Sequence, residues 1–143
     1  MAIDKQLILS KLKNLEEYLR EIERMEFSVT DLLENRDIQQ LISFRIQQAV
    51  EITIDIATHI AAALALPQQD TAVDVIELLA REGIISQSLA PEISNAVRFR
   101  NLVVHHYGNI DFEKVYRSYK DDLHDLRKFA QEIYAYIQKH GVR

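Results

Sequence analysis

The polar side chains best suited to chemistry are concentrated in one short segment, residues 98–107. It holds two arginines, two histidines, an asparagine and a tyrosine. A histidine, with an ordinary pKa near about 6.5, can accept or donate a proton near neutral pH. An arginine stays charged and its planar group matches phosphate oxygens. Helices that only fill a core do not usually gather so many polar groups, so this segment is the candidate functional site.

The spacing of these residues limits how they can meet on a helix. At about 100° per residue, Asn101 and His105 lie on one face because they are four residues apart. Arg100 and Tyr107 share a neighbouring face if the helix continues to Gly108. Arg100 and His105, five apart, converge only if the long arginine side chain curls round the helix or if the last turn departs from α geometry.

The rest of the chain predicts the helices that position this segment. Only three glycines and two prolines interrupt 143 residues, and no stretch alternates apolar and polar residues for long, which favours helices over strands. We expect five helices, at about 4–25, 37–65, 71–81, 88–108 and 111–139, with one further turn around Leu32 and Leu33. Three residues are expected to cap helix starts: Asp4, Thr71 and Asp111. The apolar stripes of these helices include Leu7, Leu41 and Leu102, which we therefore expect to point inward.

These elements predict an all-α fold, an antiparallel bundle of about five helices forming a single domain over residues 1–143. Hydrophobic residues make up 48% of the chain and charged residues 27%, and the absence of cysteine excludes disulfides and thiolate chemistry. No apolar run is long enough for a signal peptide or a membrane span, so we expect a cytoplasmic protein with no membrane partner. The net charge of −5 argues against coating nucleic acid by charge alone, but allows a nuclease with a local basic site.

The string Arg100-x4-His105-x-Tyr107 resembles the motif of the HepT-like branch of the HEPN superfamily. The neighbouring residues match as well: Asn101 follows the arginine, a valine precedes the histidine, and Gly-Asn-Ile-Asp follows the tyrosine. The resemblance extends upstream to the predicted helix at 37–65 and downstream to the final helix. It therefore covers most of the chain.

The resemblance implies an endoribonuclease that needs neither a metal ion nor a cofactor, in which the ribose 2′-OH attacks the adjacent phosphate of a tRNA or mRNA. His105 would act as general acid or base, and Arg100 would stabilise the developing charge. Asn101 would orient either His105 or the RNA backbone. One histidine per motif is too few for an acid–base pair, so we expect a homodimer that brings two motifs together.

The resemblance also implies a control mechanism. In the HepT-like branch the tyrosine at the position of Tyr107 is the acceptor of AMP groups, which a minimal nucleotidyltransferase (MNT) antitoxin transfers. The chain would then be the toxin of a type VII-like HEPN/MNT toxin–antitoxin module, in a homodimer or a larger complex with its antitoxin. AMP beside Arg100 and His105 would compete with substrate phosphate for the same donors.

Several residues keep two interpretations. His106 faces solvent or adds charge to the cleft. Arg45, Glu51 and Asp55, polar positions on a mostly apolar helix, either face the cleft and position Arg100 or form a solvated edge, with Asp55 the preferred candidate. No cluster of His, Asp and Glu has the spacing of a metal site.

Two other functions stay open at this stage. The first is a catalytically silent dimeric HEPN domain that binds RNA, a nucleotide or a protein, and the second is an unrelated helical adaptor. The presence of Arg, Asn, His and Tyr together favours the enzyme, because a binding module has no chemical need for that set.

Overall fold

The computed structural model describes residues 3–105 and 107–140. Within these ranges all the regular structure is helical, which confirms the all-α class. The helices are α1 (Lys5–Glu23), α2 (Val29–Glu34), α3 (Arg36–Ala63), α4 (Ala72–Arg81), α5 (Ala90–His105) and α6 (Phe112–His140), with a 3-10 turn at Tyr107–Asn109. In the same ranges, no helix is long and apolar enough to cross a membrane.

The helix starts follow the predicted caps. The Asp4 carboxylate accepts a hydrogen bond from the Leu7 N–H at 3.1 Å, and the Thr71 hydroxyl accepts one from Asp74 N–H at 3.1 Å. The Asp111 carboxylate accepts from the N–H groups of the first turn of α6 at 3.1 and 3.2 Å. Each cap satisfies a backbone donor that has no partner within its helix, and so fixes where the helix begins.

The described ranges hold six α-helices, one more than expected, because the turn around Leu32 is an independent helix. Ser28 Oγ accepts from Asp31 N–H at 3.1 Å, and the Asp31 carboxylate accepts from Ser28 N–H at 3.0 Å. This reciprocal capping box allows a helix of only six residues to form. Asn35 then ends α2 and caps α3.

Helix α3 is the centre of the bundle and packs against each of the other five α-helices. The predicted inward stripe of α6 is confirmed at all seven positions, which are Val115, Tyr119, Leu123, Leu126, Phe129, Ile133 and Ile137. The prediction was wrong for Leu7, Leu41 and Leu102, which are 38%, 42% and 41% exposed. Ile8 and Ile42, which follow Leu7 and Leu41 in the chain, are buried instead. The apolar face of each helix is wider than the surface that the neighbouring helices cover, so residues at its edge stay exposed.

An ion-pair cluster joins the first and last helices. The Arg127 guanidinium on α6 donates to Glu16 at 3.1 Å and to Glu23 at 2.7 Å, both on α1. The hydrogen bond and the positive charge of Arg127 lower the pKa of the Glu23 carboxyl. In the described part of the chain α1 and α5 do not pack against each other, so the two glutamates of this cluster lie on a helix that does not touch the candidate segment.

Candidate active site

Helix α5 carries the candidate residues on its exposed end. Its first half is anchored by the buried residues Ala90, Ile93, Ser94, Ala96 and Val97. Beyond Val97 the helix leaves the core, and His105, its last residue, is exposed. The helix was predicted to reach Gly108, but it ends at His105 and the backbone continues as a 3-10 turn. The last turn therefore departs from α geometry, and Arg100 and Tyr107 do not share one continuous helix.

Arg100 points back into the bundle and meets α3. Its side chain is only 18% exposed, and its Nε lies 2.7 Å from Oε1 of Glu51. The Nε–H is not aligned with that oxygen well enough for a hydrogen bond, so the contact is an ion pair. Nη1 of Arg100 donates to Oδ1 of Asn101 at 2.8 Å. The guanidinium is thus held between one residue of α3 and one of its own helix.

A hollow of about 380 Å³ opens beside Asn101, the residue that accepts the hydrogen bond from Arg100. It is lined by Arg98, Asn101, Leu102 and His105, which recur at helical spacing along one face of α5. Asn101 connects Arg100 to the hollow. It lines the hollow together with His105, and its side-chain oxygen Oδ1 accepts a hydrogen bond from Arg100. A substrate phosphate in this hollow would meet His105, which can transfer a proton, and the cationic Arg98. Arg100 does not line the hollow and is joined to it by its hydrogen bond to Asn101.

The candidates on α3 separate into three different environments. Nη1 of Arg45 donates to the backbone oxygen of Glu21 at 3.2 Å, toward α1. The Asp55 carboxylate accepts from Lys11 at 2.5 Å and lies 3.4 Å from the His59 imidazole. Neither residue contacts Arg100, whereas Glu51 does, so the structure does not bring the preferred candidate Asp55 to the site.

Two other candidates have a different status. His106 lies outside the described residues. Tyr107 begins the 3-10 turn that follows α5, so its backbone is two residues beyond His105 in the chain. Arg98 belongs to the candidate segment but was given no role of its own from the sequence, and it lines the same hollow as His105. The signal that could have identified it is its seven-residue spacing from His105, two helical turns.

A second, larger cavity of about 640 Å³ lies between α5 and α6 and is strongly acidic. Glu92, Asp121, Asp122 and Asp125 are among its lining residues, and Arg98 lies on its border with the hollow. Burial, together with the charges of Asp125, Asp121 and Glu92, raises the pKa of Asp122 to about 6. Negative charge on this side repels phosphate, so an anionic substrate would be directed toward the two arginines.

In the part of the chain that the structure describes, no three residues among His, Cys, Asp and Glu are grouped so that they could hold a metal ion. The polar groups of the site are the basic, amide and imidazole side chains of α5 and the carboxylate of Glu51. These groups are suited to binding an anion and moving a proton.

Two curated relatives and a solved structure are similar to nearly the whole chain. An mRNA nuclease HepT from Shewanella oneidensis is 26% identical over 131 residues, which is 90% of this chain and 97% of the relative. A tRNA nuclease HepT from Aphanizomenon flos-aquae is 28% identical over 137 residues, 94% of this chain and 92% of the relative. The structure of a tri-AMPylated HEPN toxin of S. oneidensis, in complex with an MNT antitoxin, superimposes with a TM-score of 0.83 and 25% identity. The superposition covers 90% of this chain and 96% of the toxin.

A family model agrees with these likenesses. The model described as "Ribonuclease HepT-like" matches residues 15–133, which include all of α3 and the whole of α5. This confirms the resemblance seen in the Arg100-x4-His105-x-Tyr107 string. The chain belongs to the HepT-like ribonuclease family.

Proposed function

We propose that this chain is a metal-independent endoribonuclease and the toxin of a HEPN/MNT toxin–antitoxin module, with residues 1–143 acting as one domain. The observation that carries the proposal is the link from Arg100 through Asn101 to the hollow lined by His105. The nuclease names of the two relatives support RNA as the substrate. One relative is named for mRNA and the other for tRNA, and we propose one of these two RNA classes for this chain.

The proposed reaction is an internal transfer at phosphorus. The ribose 2′-OH loses its proton and attacks the adjacent phosphorus, and the bond to the 5′-oxygen of the next nucleotide breaks. That oxygen gains a proton, so the products end in a 2′,3′-cyclic phosphate and a 5′-hydroxyl. His105 acts as general acid or base, and Arg100 stabilises the charge on the non-bridging oxygens.

One chain supplies one such histidine, and the exposed apolar residues indicate how a second copy would complete the site. Leu41 and Phe44 are 42% and 54% exposed on α3, and Phe44, seven residues before Glu51, lies on the same helical face as Glu51. Leu102 and Val104, on α5, are 41% and 48% exposed. We propose a symmetric homodimer that buries this face and brings the two His105 side chains into one cleft.

We propose that the partner antitoxin silences the enzyme by transferring AMP to Tyr107. The solved relative, an AMPylated HEPN toxin in complex with an MNT antitoxin, supports AMP transfer as the means of silencing. Tyr107 follows the exposed end of α5, where another protein can approach the chain. The new phosphodiester would be an anion close to the groups that bind substrate phosphate, and the adenosine would occupy the cleft.

Incubating the purified protein with total RNA in the presence of EDTA tests the proposal. The wild type should produce fragments with 2′,3′-cyclic phosphate ends, and Arg100→Ala should produce none. RNA that is retained by the protein but stays intact would indicate a binding module instead of an enzyme.

A further inference from the structure

We infer that Glu51 is a positioning residue of the ribonuclease, which acts through Arg100 and not on the RNA itself. The inference rests on the proposed function. Its starting point is the 2.7 Å contact between Glu51 Oε1 and the buried Nε of Arg100, made across the α3–α5 contact. Glu51 itself is 46% exposed, so it lies at the border of the site and not in the core.

The distribution of contacts around the guanidinium indicates what Glu51 does. An arginine presents five N–H donors in a rigid plane. Its Nε edge faces Glu51, and one Nη1 hydrogen goes to Asn101 at 2.8 Å. Among the described residues Nη2 has no protein acceptor. The ion pair and the hydrogen bond therefore hold two sides of the guanidinium and leave the Nη2 end for phosphate oxygens.

Burial makes this arrangement depend on the carboxylate. A guanidinium that is 18% exposed needs a nearby counter-charge, because an unpaired buried charge is costly. Without Glu51, the long side chain would turn toward water or toward another acceptor. A displacement of about 1 Å in a group that stabilises a transition state can cost roughly 100-fold in rate.

The pairing also predicts which kinetic constant changes. Removing Glu51 takes away the negative charge beside Arg100, so RNA binding in the ground state should not weaken. The loss should appear in kcat, with KM unchanged or lower. Glu51 is engaged with Arg100 and has no role in proton transfer, so the midpoints of the pH–rate profile should not move.

The experiment compares Glu51→Ala, Glu51→Asp and Glu51→Gln with Glu23→Ala on total tRNA or an mRNA transcript, whichever the wild type cleaves. Glu23 is a matched control because it pairs with a half-buried arginine at the same 2.7 Å and lies on α1, which does not pack against α5 in the described part of the chain. We expect Glu51→Ala to lower kcat by about 10- to 100-fold and Glu51→Asp to recover part of it, while Glu23→Ala stays within about twofold. If Glu51→Ala does not fold, Glu51→Gln, which keeps the side-chain volume, serves for the same comparison.

A double-mutant cycle separates positioning from an independent role. Glu51→Ala should change the residual rate of Arg100→Ala by less than about twofold, because the group it acts through is already absent. The inference is wrong if Glu51→Ala cleaves like the wild type, if the two losses add, or if the acidic limb of the pH profile disappears.

A spectroscopic readout keeps the test independent of activity. The Nε atom of Arg100 is buried in the wild type, so its N–H signal, assigned by its loss in Arg100→Ala, should exchange slowly with water there and in Glu23→Ala. It should exchange fast in Glu51→Ala. A signal that is unaffected by Glu51→Ala would overturn the inference even if no RNA is cleaved. Absence of cleavage by the wild type would instead contradict the proposed function.

Discussion

Arg100 donates a hydrogen bond to Asn101, the next residue in the chain, at 2.8 Å. Adjacent residues on a helix point about 100° apart, so this contact requires the arginine side chain to bend round the helix. It thereby brings the guanidinium toward the face where Asn101 and His105 line one hollow. The Asn101 side-chain oxygen accepts from Arg100, which is a different contact from the two predicted ones, with His105 or with the RNA backbone.

Covalent silencing gives a prediction about mass. Co-expression with the partner nucleotidyltransferase should add mass in steps of one AMP unit, and peptide mapping should locate the adducts on Tyr107. Tyr107→Phe has no phenolic oxygen to accept the adenylyl group, so it should stay unmodified and escape silencing. Tyr134→Phe, a half-exposed tyrosine on α6, is the control and should be silenced normally. Silenced protein with no adduct in its intact-mass spectrum would show that neutralisation is steric.

The proposed dimer gives a prediction about assembly. Phe44→Glu places a charge in the exposed apolar face of α3, so it should convert the dimer to a monomer in light scattering at micromolar concentration and reduce RNA cleavage. Tyr134→Glu changes a residue of similar exposure on α6 and should stay dimeric and active. A wild type that is monomeric under these conditions would contradict the shared cleft.

The acidic cavity gives a prediction about pH and stability. Burial and neighbouring carboxylates raise the pKa of Asp122 from its ordinary value of 3.8 to about 6, so the native state holds a proton that the unfolded chain has already released. The contribution of Asp122 to stability is complete below pH 4 and is lost as the pH rises through about 6. Asp122→Asn should therefore increase the free energy of unfolding at pH 7.5, by on the order of 1 kcal/mol after allowance for its partial exposure.

Urea unfolding at pH 4 and pH 7.5 checks this effect. The advantage of Asp122→Asn should disappear at pH 4, where the wild-type carboxyl is protonated in the native state. Asp70→Asn, in the exposed loop before α4, should change the unfolding free energy by less than about 0.5 kcal/mol at either pH. A stabilisation by Asp122→Asn of equal size at both pH values would show that the raised pKa is not its cause.

Local signals in the sequence were sufficient for most of the fold. The caps at Asp4, Thr71 and Asp111 were recognisable because capping depends on residues within one turn. The stripe of α6 was predicted at every position because a long helix packed along one side keeps a regular period. At α2 the sequence predicted only one turn, because six residues are too few to show a helical period. The Ser28-x-x-Asp31 spacing of its capping box was nevertheless present in the sequence.

The site was predictable in composition but not in its contacts. Arg100, Asn101 and His105 are grouped on the exposed end of α5, but the choice of Glu51 over Asp55 depends on where α5 crosses α3. The two carboxylates are four residues apart on one helical face, so no local pattern distinguishes them. The exposure of Leu41 and Leu102 is likewise decided by which neighbours the bundle supplies.

Cleavage of RNA by His105→Ala, measured in EDTA, tests the central claim most directly. The wild type should cleave in the presence of the chelator. The variant should be slower by about 100- to 10,000-fold, because it has lost a positioned acid–base group. Its melting temperature should hardly change, since His105 is exposed at the end of α5, and His140→Ala, an exposed histidine at the end of α6, should cleave normally. Wild-type cleavage by His105→Ala, or cleavage that stops in EDTA and returns with magnesium, would contradict the account.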